Sequence, residues 1–263
     1  MSRPIRLAFQ IHPQHAPYDV LRQAAVDAEE AGVDIIYNWD HFYPLYGEAD
    51  GAHFECWTML ASLAEVTERV ELGPLVTCNS YRNPSFLADT ARTVDHISGG
   101  RVILGIGSGW FERDYTEYGY EFGTARGRLD ALAENLPIIR DRLGRLDPPP
   151  VRDMPLLIGG GGEKVTLKIV AEHADIWHGF GDPDTYRHKI AVLDEWCAKI
   201  GRDPAEIERS CGVPMDENGN PAYGDKMIEA GAHQLTVGLG GPEFDISFLT
   251  DWVAWRDDRN ASR

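Results

Sequence analysis

The pair best suited to moving a proton in this chain is Asp40-His41, an acceptor beside an imidazole, a side chain able both to take and to give a proton. Trp39 and Phe42 flank it. A second feature is Gly159-Gly160-Gly161-Gly162, four successive glycines after an apolar run. Glycines let the backbone approach a ligand closely, and unpaired amides at a helix start favour an anion such as phosphate. Each such contact is worth roughly 0.3–1 kcal/mol, but several can converge on one group. Gly107-Ser108-Gly109, followed by Trp110, offers a hydroxyl, amides and an aromatic wall, without the spacing of a dinucleotide loop or a Walker loop. Either cluster is also compatible with a plain strand-to-helix turn. His12 and His15 could join Asp40, His178 or His233 around a metal, as in a metal-dependent barrel hydrolase. Histidines three apart on a loop, however, match neither H-x-H nor H-E-x-x-H geometry, so no metal site is expected.

The elements that must position these residues follow a simple alternation. Strand-like runs at 5–11, 34–38, 70–77, 102–106, 156–159, 175–178, 207–212 and 234–239 are each followed by a helical pattern, at 18–31, 54–67, 84–97, 124–143, 163–172, 183–200, 221–230 and 246–258. Such alternation implies an α/β protein with a parallel sheet, and eight units permit closure into a (β/α)8 TIM barrel. A doubly wound open sheet is the rival architecture. Gly32 and Gly99-Gly100 stand where helices should stop, and Pro84, Pro183 and Pro221 where they should begin. The connector from Leu146 to Pro150 is too short for an interdomain boundary, so residues 1–263 read as one domain.

In such barrels the loops after the strands build the active site. That places Asp40-His41, Cys78-Asn79 and both glycine clusters around one mouth, where a phosphate-bearing redox cofactor would sit. Trp39, Trp110 and Trp177 stand at strand ends and could stack on a flat ring. Trp57, Trp196 and Trp252 fall inside helices and read as core or interface residues, while Tyr115, Tyr118 and Tyr120 read as packing the long fourth loop onto the barrel.

Composition sets the outer limits. A formal net charge of −17 argues against nucleic acid and anionic membranes as partners but not against a small anionic ligand, which a local nest of amides can hold. No apolar run is long enough to span a bilayer, no signal-peptide pattern opens the chain, and a cytoplasmic protein is expected. Cys56, Cys78, Cys197 and Cys211 are scattered without a C-x-x-C pair and read as free buried thiols.

Several segments, in order, resemble the bacterial luciferase-like monooxygenase family, and within it the branch that uses the deazaflavin coenzyme F420. They are Ala28-Glu29-Glu30-Ala31-Gly32-Val33-Asp34 leading to Trp39-Asp40-His41-Phe42; Val70-Glu71-Leu72-Gly73-Pro74-Leu75-Val76-Thr77 with Tyr81-Arg82-Asn83-Pro84; Asp95-His96-Ile97-Ser98-Gly99-Gly100-Arg101-Val102; Leu104-Gly105-Ile106-Gly107-Ser108-Gly109-Trp110; and the strand ending in the four glycines, with Ala174-Asp175-Ile176-Trp177. The resemblance implies a luciferase-like barrel with the ring lying across the strand ends. It implies that Asp40 touches the ring or its polar edge and that His41 gives or takes a proton beside it. Val76, Thr77, Cys78 and Asn79 would back the ring, in a bulge that holds a cis peptide not preceding proline. Gly107, Ser108, Gly109 and Gly159, Gly160, Gly161, Gly162 would hold the ribityl chain and phosphate, with Arg82, Arg113 or Lys164 offsetting the charge.

The implied activity is hydride transfer between F420 and a small organic substrate. An FMN-dependent monooxygenase is the alternative, since the two cofactors share ring and phosphate. Members that oxidise a sugar phosphate carry a glutamate directly after the glycine pair of the fourth strand, where this chain has Trp110. The insertion usual after the fifth to seventh strands is mostly absent, and a homodimer through the early helices is possible.

Overall fold

A computed structural model describes residues 3–262. Its strands are β1 (Arg6–His12), β2 (Ile35–Asn38), β3 (Glu71–Pro74), β4 (Thr77–Cys78), β5 (Leu104–Gly107), β6 (Leu156–Gly159), β7 (Ile176–Gly179), β8 (Glu208–Gly212) and β9 (Gln234–Gly240). The helices are α1 (Tyr18–Ala31), α2 (Cys56–Val66), α3 (Pro84–Ile97), α4 (Glu112–Tyr118), α5 (Ala125–Arg145), α6 (Thr166–His173), α7 (Pro183–Ile200), α8 (Ala222–Glu229) and α9 (Leu249–Ala261).

All pairings between these strands are parallel, and the strand order runs β3-β2-β1-β9-β8-β7-β6-β5-β4. The two ends of that order belong to one barrel strand. Residues 70–77, which read as a single strand in the sequence, are interrupted at Leu75 and Val76, so β3 pairs with β2 and β4 pairs with β5. A bridge from Leu72 to Val102 and the Thr77–Ile106 pairing close the ring. The architecture is therefore the expected eight-fold barrel and not an open sheet.

Side chains alternate across each strand, which divides the core in two. Ala8, Ile35, Tyr37, Ile103, Leu157 and Ile176 fill the barrel interior, capped from above by Leu75 and Val76. Leu7, Phe9, Ile36, Leu72 and Leu104 point outward and pack beneath the helices. The same alternation corrects one expectation: Trp177 faces the helices, fully buried and stacked on Tyr186 at 5.2 Å, and not a ligand ring. Trp57 and Trp252 are core residues, and all four cysteines are free and buried.

Helix boundaries follow local chemistry. Gly32 ends α1 in the left-handed conformation, and Pro84 and Pro183 open α3 and α7. The Thr124 hydroxyl accepts from the Gly127 amide at 3.0 Å and caps α5. Helix α4 lies where a loop was expected, and α6 and α9 begin at Thr166 and Leu249, each three residues after the expected starts at Glu163 and Ile246. Among the described residues no helix is long and apolar enough to cross a membrane.

Candidate active site

A cavity of about 420 Å³ opens at the C-terminal ends of the strands, within the range of small-molecule sites. Its floor is Leu75 and Val76, joined by a cis peptide. The Leu75 carbonyl accepts from the Gln10 side-chain amide at 3.0 Å. The Val76 side chain reaches across to β5 and β6. A Cβ at Gly107 would fall 2.7 Å from Val76 Cγ2, and one at Gly159 would fall 3.1 Å from Val76 Cγ1. Glycine at these two strand ends therefore makes room for the floor, a steric cause that the sequence does not display.

His41 lines this cavity, and its Nδ1 lies 2.7 Å from Asp114 Oδ2. Asp114 is fully buried at the start of α4. It also accepts from the amides of Phe42 (3.1 Å) and Tyr43 (3.2 Å) and from the Tyr81 hydroxyl (3.0 Å). A carboxylate so surrounded by donors is an acceptor, which assigns the proton of the pair to His41 Nδ1. The other ring nitrogen, Nε2, makes no hydrogen bond among the described residues and can receive or give a proton at the cavity. Trp110 and Phe111 meet the imidazole edge-on at 5.8 and 5.5 Å and hold its plane.

Asp40 also lines the cavity, but its carboxylate is spoken for. It is 1% exposed and accepts from the Thr77 hydroxyl (2.6 Å), the Cys78 amide (3.0 Å) and both terminal nitrogens of Arg82. Burial opposes the charge of Arg82, yet Asp40 beside it more than offsets that and raises its pKa above the ordinary value. The network ties β2 to β4 just above the interruption of the third strand. Asp40 thus braces the floor.

The four glycines divide between two environments. Gly159 and Gly160 reach the cavity wall, whereas Gly161 and Gly162 lie beyond it. Gly160 has φ +135°, a conformation that L side chains rarely adopt, and its amide donates to the His178 carbonyl at 3.0 Å. The amides of residues 161–164 make no hydrogen bond among the described residues and remain available to an anion. Of the three cations considered for that anion, Arg82 is committed to Asp40 and Glu55. Arg113 is committed to Asp50 and the Ala49 carbonyl. Lys164 is exposed and has no carboxylate partner among the described residues.

A family model described as luciferase-like monooxygenase matches residues 2–215. The chain belongs to that family. Among its luciferase-like relatives is an "F420-dependent glucose-6-phosphate dehydrogenase" of Amycolatopsis mediterranei, 36% identical over 49% of this chain and 38% of the relative. A protein of the same name from Kineococcus radiotolerans is 27% identical over 84% of this chain and 71% of its own. The chain thus spans well under half of the first relative and about seven-tenths of the second. In fold it is similar to an "F420-dependent secondary alcohol dehydrogenase in complex with an F420-acetone adduct", with a TM-score of 0.84, 18% identity and 99% of each chain covered.

Within this luciferase-like site the other sequence candidates take distinct places. Thr77, Cys78, Ser108 and Gly109 line the cavity together with Trp39 and Trp110. Asn79 is buried off the wall, where its side-chain oxygen accepts from Asn135 at 3.1 Å. His12, His15 and His178 do not meet. His12 stacks on Trp39 and bonds the Tyr46 hydroxyl, His15 bonds the Tyr46 carbonyl at 2.7 Å, and His178 bonds Ser210 at 2.9 Å. Among the described residues no three ligating groups converge as a metal site would need. The sequence reading gave no role to Asp114, Gln10 or Phe180. Asp114 stands 73 positions from its histidine, a separation that no local motif bridges.

Burial lowers the pKa of both His12 and His178 to about 3, so both are neutral in the folded protein. Unfolded, each titrates near about 6.5. The unfolded chain therefore binds more protons below that value, and stability falls as pH drops from there towards about 3. Between pH 7 and 5 each ring should cost about 2 kcal/mol. Urea midpoints at the two pH values check this, and His178→Asn should flatten the slope; a flat wild-type profile would mean that water reaches both rings.

Proposed function

We propose that this chain transfers a hydride between coenzyme F420 and a small organic substrate, with His41 taking or giving the accompanying proton. The observation that carries the reading is the Asp114–His41 pair opening through Nε2 onto a cavity floored by the apolar Leu75 and Val76. The names of the luciferase-like relatives support the choice of cofactor.

The residues present fit such a group. Leu75 and Val76 offer an apolar face to a planar ring, Gly107 and Gly159 make room for the Val76 side chain that forms it, and the free amides with Lys164 suit an anionic tail. When bound, the deazaflavin supplies a two-electron hydride donor or acceptor. The chain does the rest. Val76, Thr77, Cys78 and Asn79 form or brace the floor, and Asp40 acts as a positioning residue that fixes it through Thr77, Cys78 and Arg82. Ser108 and Gly109 on the cavity wall, with Gly160, Gly161 and Gly162 at and beyond it, would hold the ribityl chain and phosphate. Asp114 holds the Nδ1 proton of His41, so that exchange takes place at Nε2 alone.

Fluorescence titration with F420 and with FMN tests this. Saturable binding of F420 is expected, weakened about three- to tenfold in Lys164→Ala, which removes one exposed charge contact. Binding of FMN instead, accompanied by oxygen consumption in the presence of a reductase, would replace the proposal with a monooxygenase. Binding of neither would end it.

A further inference from the structure

The walls of the cavity say what kind of substrate it admits. Among the described residues that line it there is no lysine and no arginine. Its one carboxylate, Asp40, already meets four donors, and His178 is held neutral at physiological pH by burial. A phosphate or carboxylate group entering here would lose water and meet no fixed cation, since the charge of a protonated His41 is already paired with Asp114, which is unfavourable. The neutral polar side chains are mostly engaged too: Thr77 with Asp40, Tyr81 with Asp114, Cys78 with Tyr115 and the Gln10 amide with the Leu75 carbonyl. At the mouth the surface is the reverse of polar. Trp110 and Phe180, from the loops after β5 and β7, line the cavity yet remain 64% and 60% exposed. Two large aromatic side chains left in water at one opening mark a contact surface. Trp110 also touches the His41 ring, so this apolar surface begins where the proton is handled.

We propose that the substrate is an uncharged alcohol, or its carbonyl partner, that carries an apolar ring packing on Trp110 and Phe180. The inference rests on the F420 reading above for its oxidant and deepens it. An alcohol is the smallest apolar-compatible group that offers hydride and proton from adjacent atoms. In the oxidising direction the carbinol carbon loses its C–H electron pair as hydride to the oxidised deazaflavin, the hydroxyl proton passes to His41 Nε2, and a carbonyl remains. The reducing direction returns both from reduced deazaflavin and protonated His41. The substrate's one polar oxygen then meets His41 Nε2, a ring nitrogen of the wall without a hydrogen bond among the described residues.

Calorimetry on the F420-loaded protein with acetophenone and with glucose 6-phosphate decides it. Acetophenone should bind saturably and glucose 6-phosphate should not. Trp110→Ala and Phe180→Ala should each weaken acetophenone binding about tenfold while the melting curve stays in place, because both side chains are mostly outside the core. Saturable binding of glucose 6-phosphate, or unchanged acetophenone affinity in both variants, overturns the inference. Should F420 itself fail to bind, the cofactor reading falls separately. The same acetophenone titrations on the unloaded protein and the two variants then still decide whether the mouth recognises an apolar ring.

Discussion

Replacing His41 by asparagine is expected to lower turnover with F420 by about 10²–10⁴-fold, the usual worth of a positioned acid or base. Affinity for the cofactor should change little, because the floor and the tail-binding amides do not involve the imidazole. Asparagine can still reach Asp114, so the shape of the loop is preserved and the loss reports proton handling. The companion change Asp114→Asn tests the partner. An amide there can present a donor to Nδ1 and favour the wrong tautomer, with a loss of similar order even though His41 is intact. Stopped-flow traces of ring reduction, with cofactor binding measured alongside, separate the two effects. If His41→Asn keeps more than half of the wild-type rate, the imidazole is not the proton carrier.

Asp40→Ala should be costly in a different way. It leaves Arg82, the Cys78 amide and the Thr77 hydroxyl facing a hole in a buried region, and breaking a buried ion pair by removing one partner costs about 3–5 kcal/mol. Glu55 retains one contact to Arg82, which places the loss towards the lower end of that range. Denaturant unfolding measures it directly. Because Asp40 braces the strand that carries Leu75 and Val76, cofactor affinity should fall together with stability. A variant with normal unfolding but no turnover would instead place Asp40 in the chemistry itself.

Much of this protein is legible in its residues. The alternation of strand and helix patterns yields the barrel, and the residues directly after each strand include His41, Asp40, Gly159 and Gly160, all of which line the cavity. The interruption of the third strand is not legible from pattern, because Leu75 and Val76 are as apolar as the strand around them. Helix α4 was hidden for the opposite reason. Its sequence, Glu112 to Tyr118, is charged and tyrosine-rich and shows no apolar period, and its burial comes from contacts of Asp114 and Tyr115 with distant elements. The glycine clusters carry two causes at once. At Gly107 and Gly159 the closeness of Val76 demands glycine, whereas at Gly161 nothing presses on the Cβ position and the open amide is what stands out. A run of identical residues in a sequence cannot separate a steric need from a ligand's need.

The carboxylate of Asp114 gathers the His41 ring, the Phe42 and Tyr43 amides and the Tyr81 hydroxyl onto a single side chain. One flank of the mouth is therefore coupled to the chemistry: mutations that reshape it to suit a new substrate also disturb proton exchange. Phe180 stands on the loop after β7, and its ring contact is with His178 rather than with that hub. Drift in specificity among descendants of this chain should accumulate there first, where a change in fit leaves the reaction machinery undisturbed.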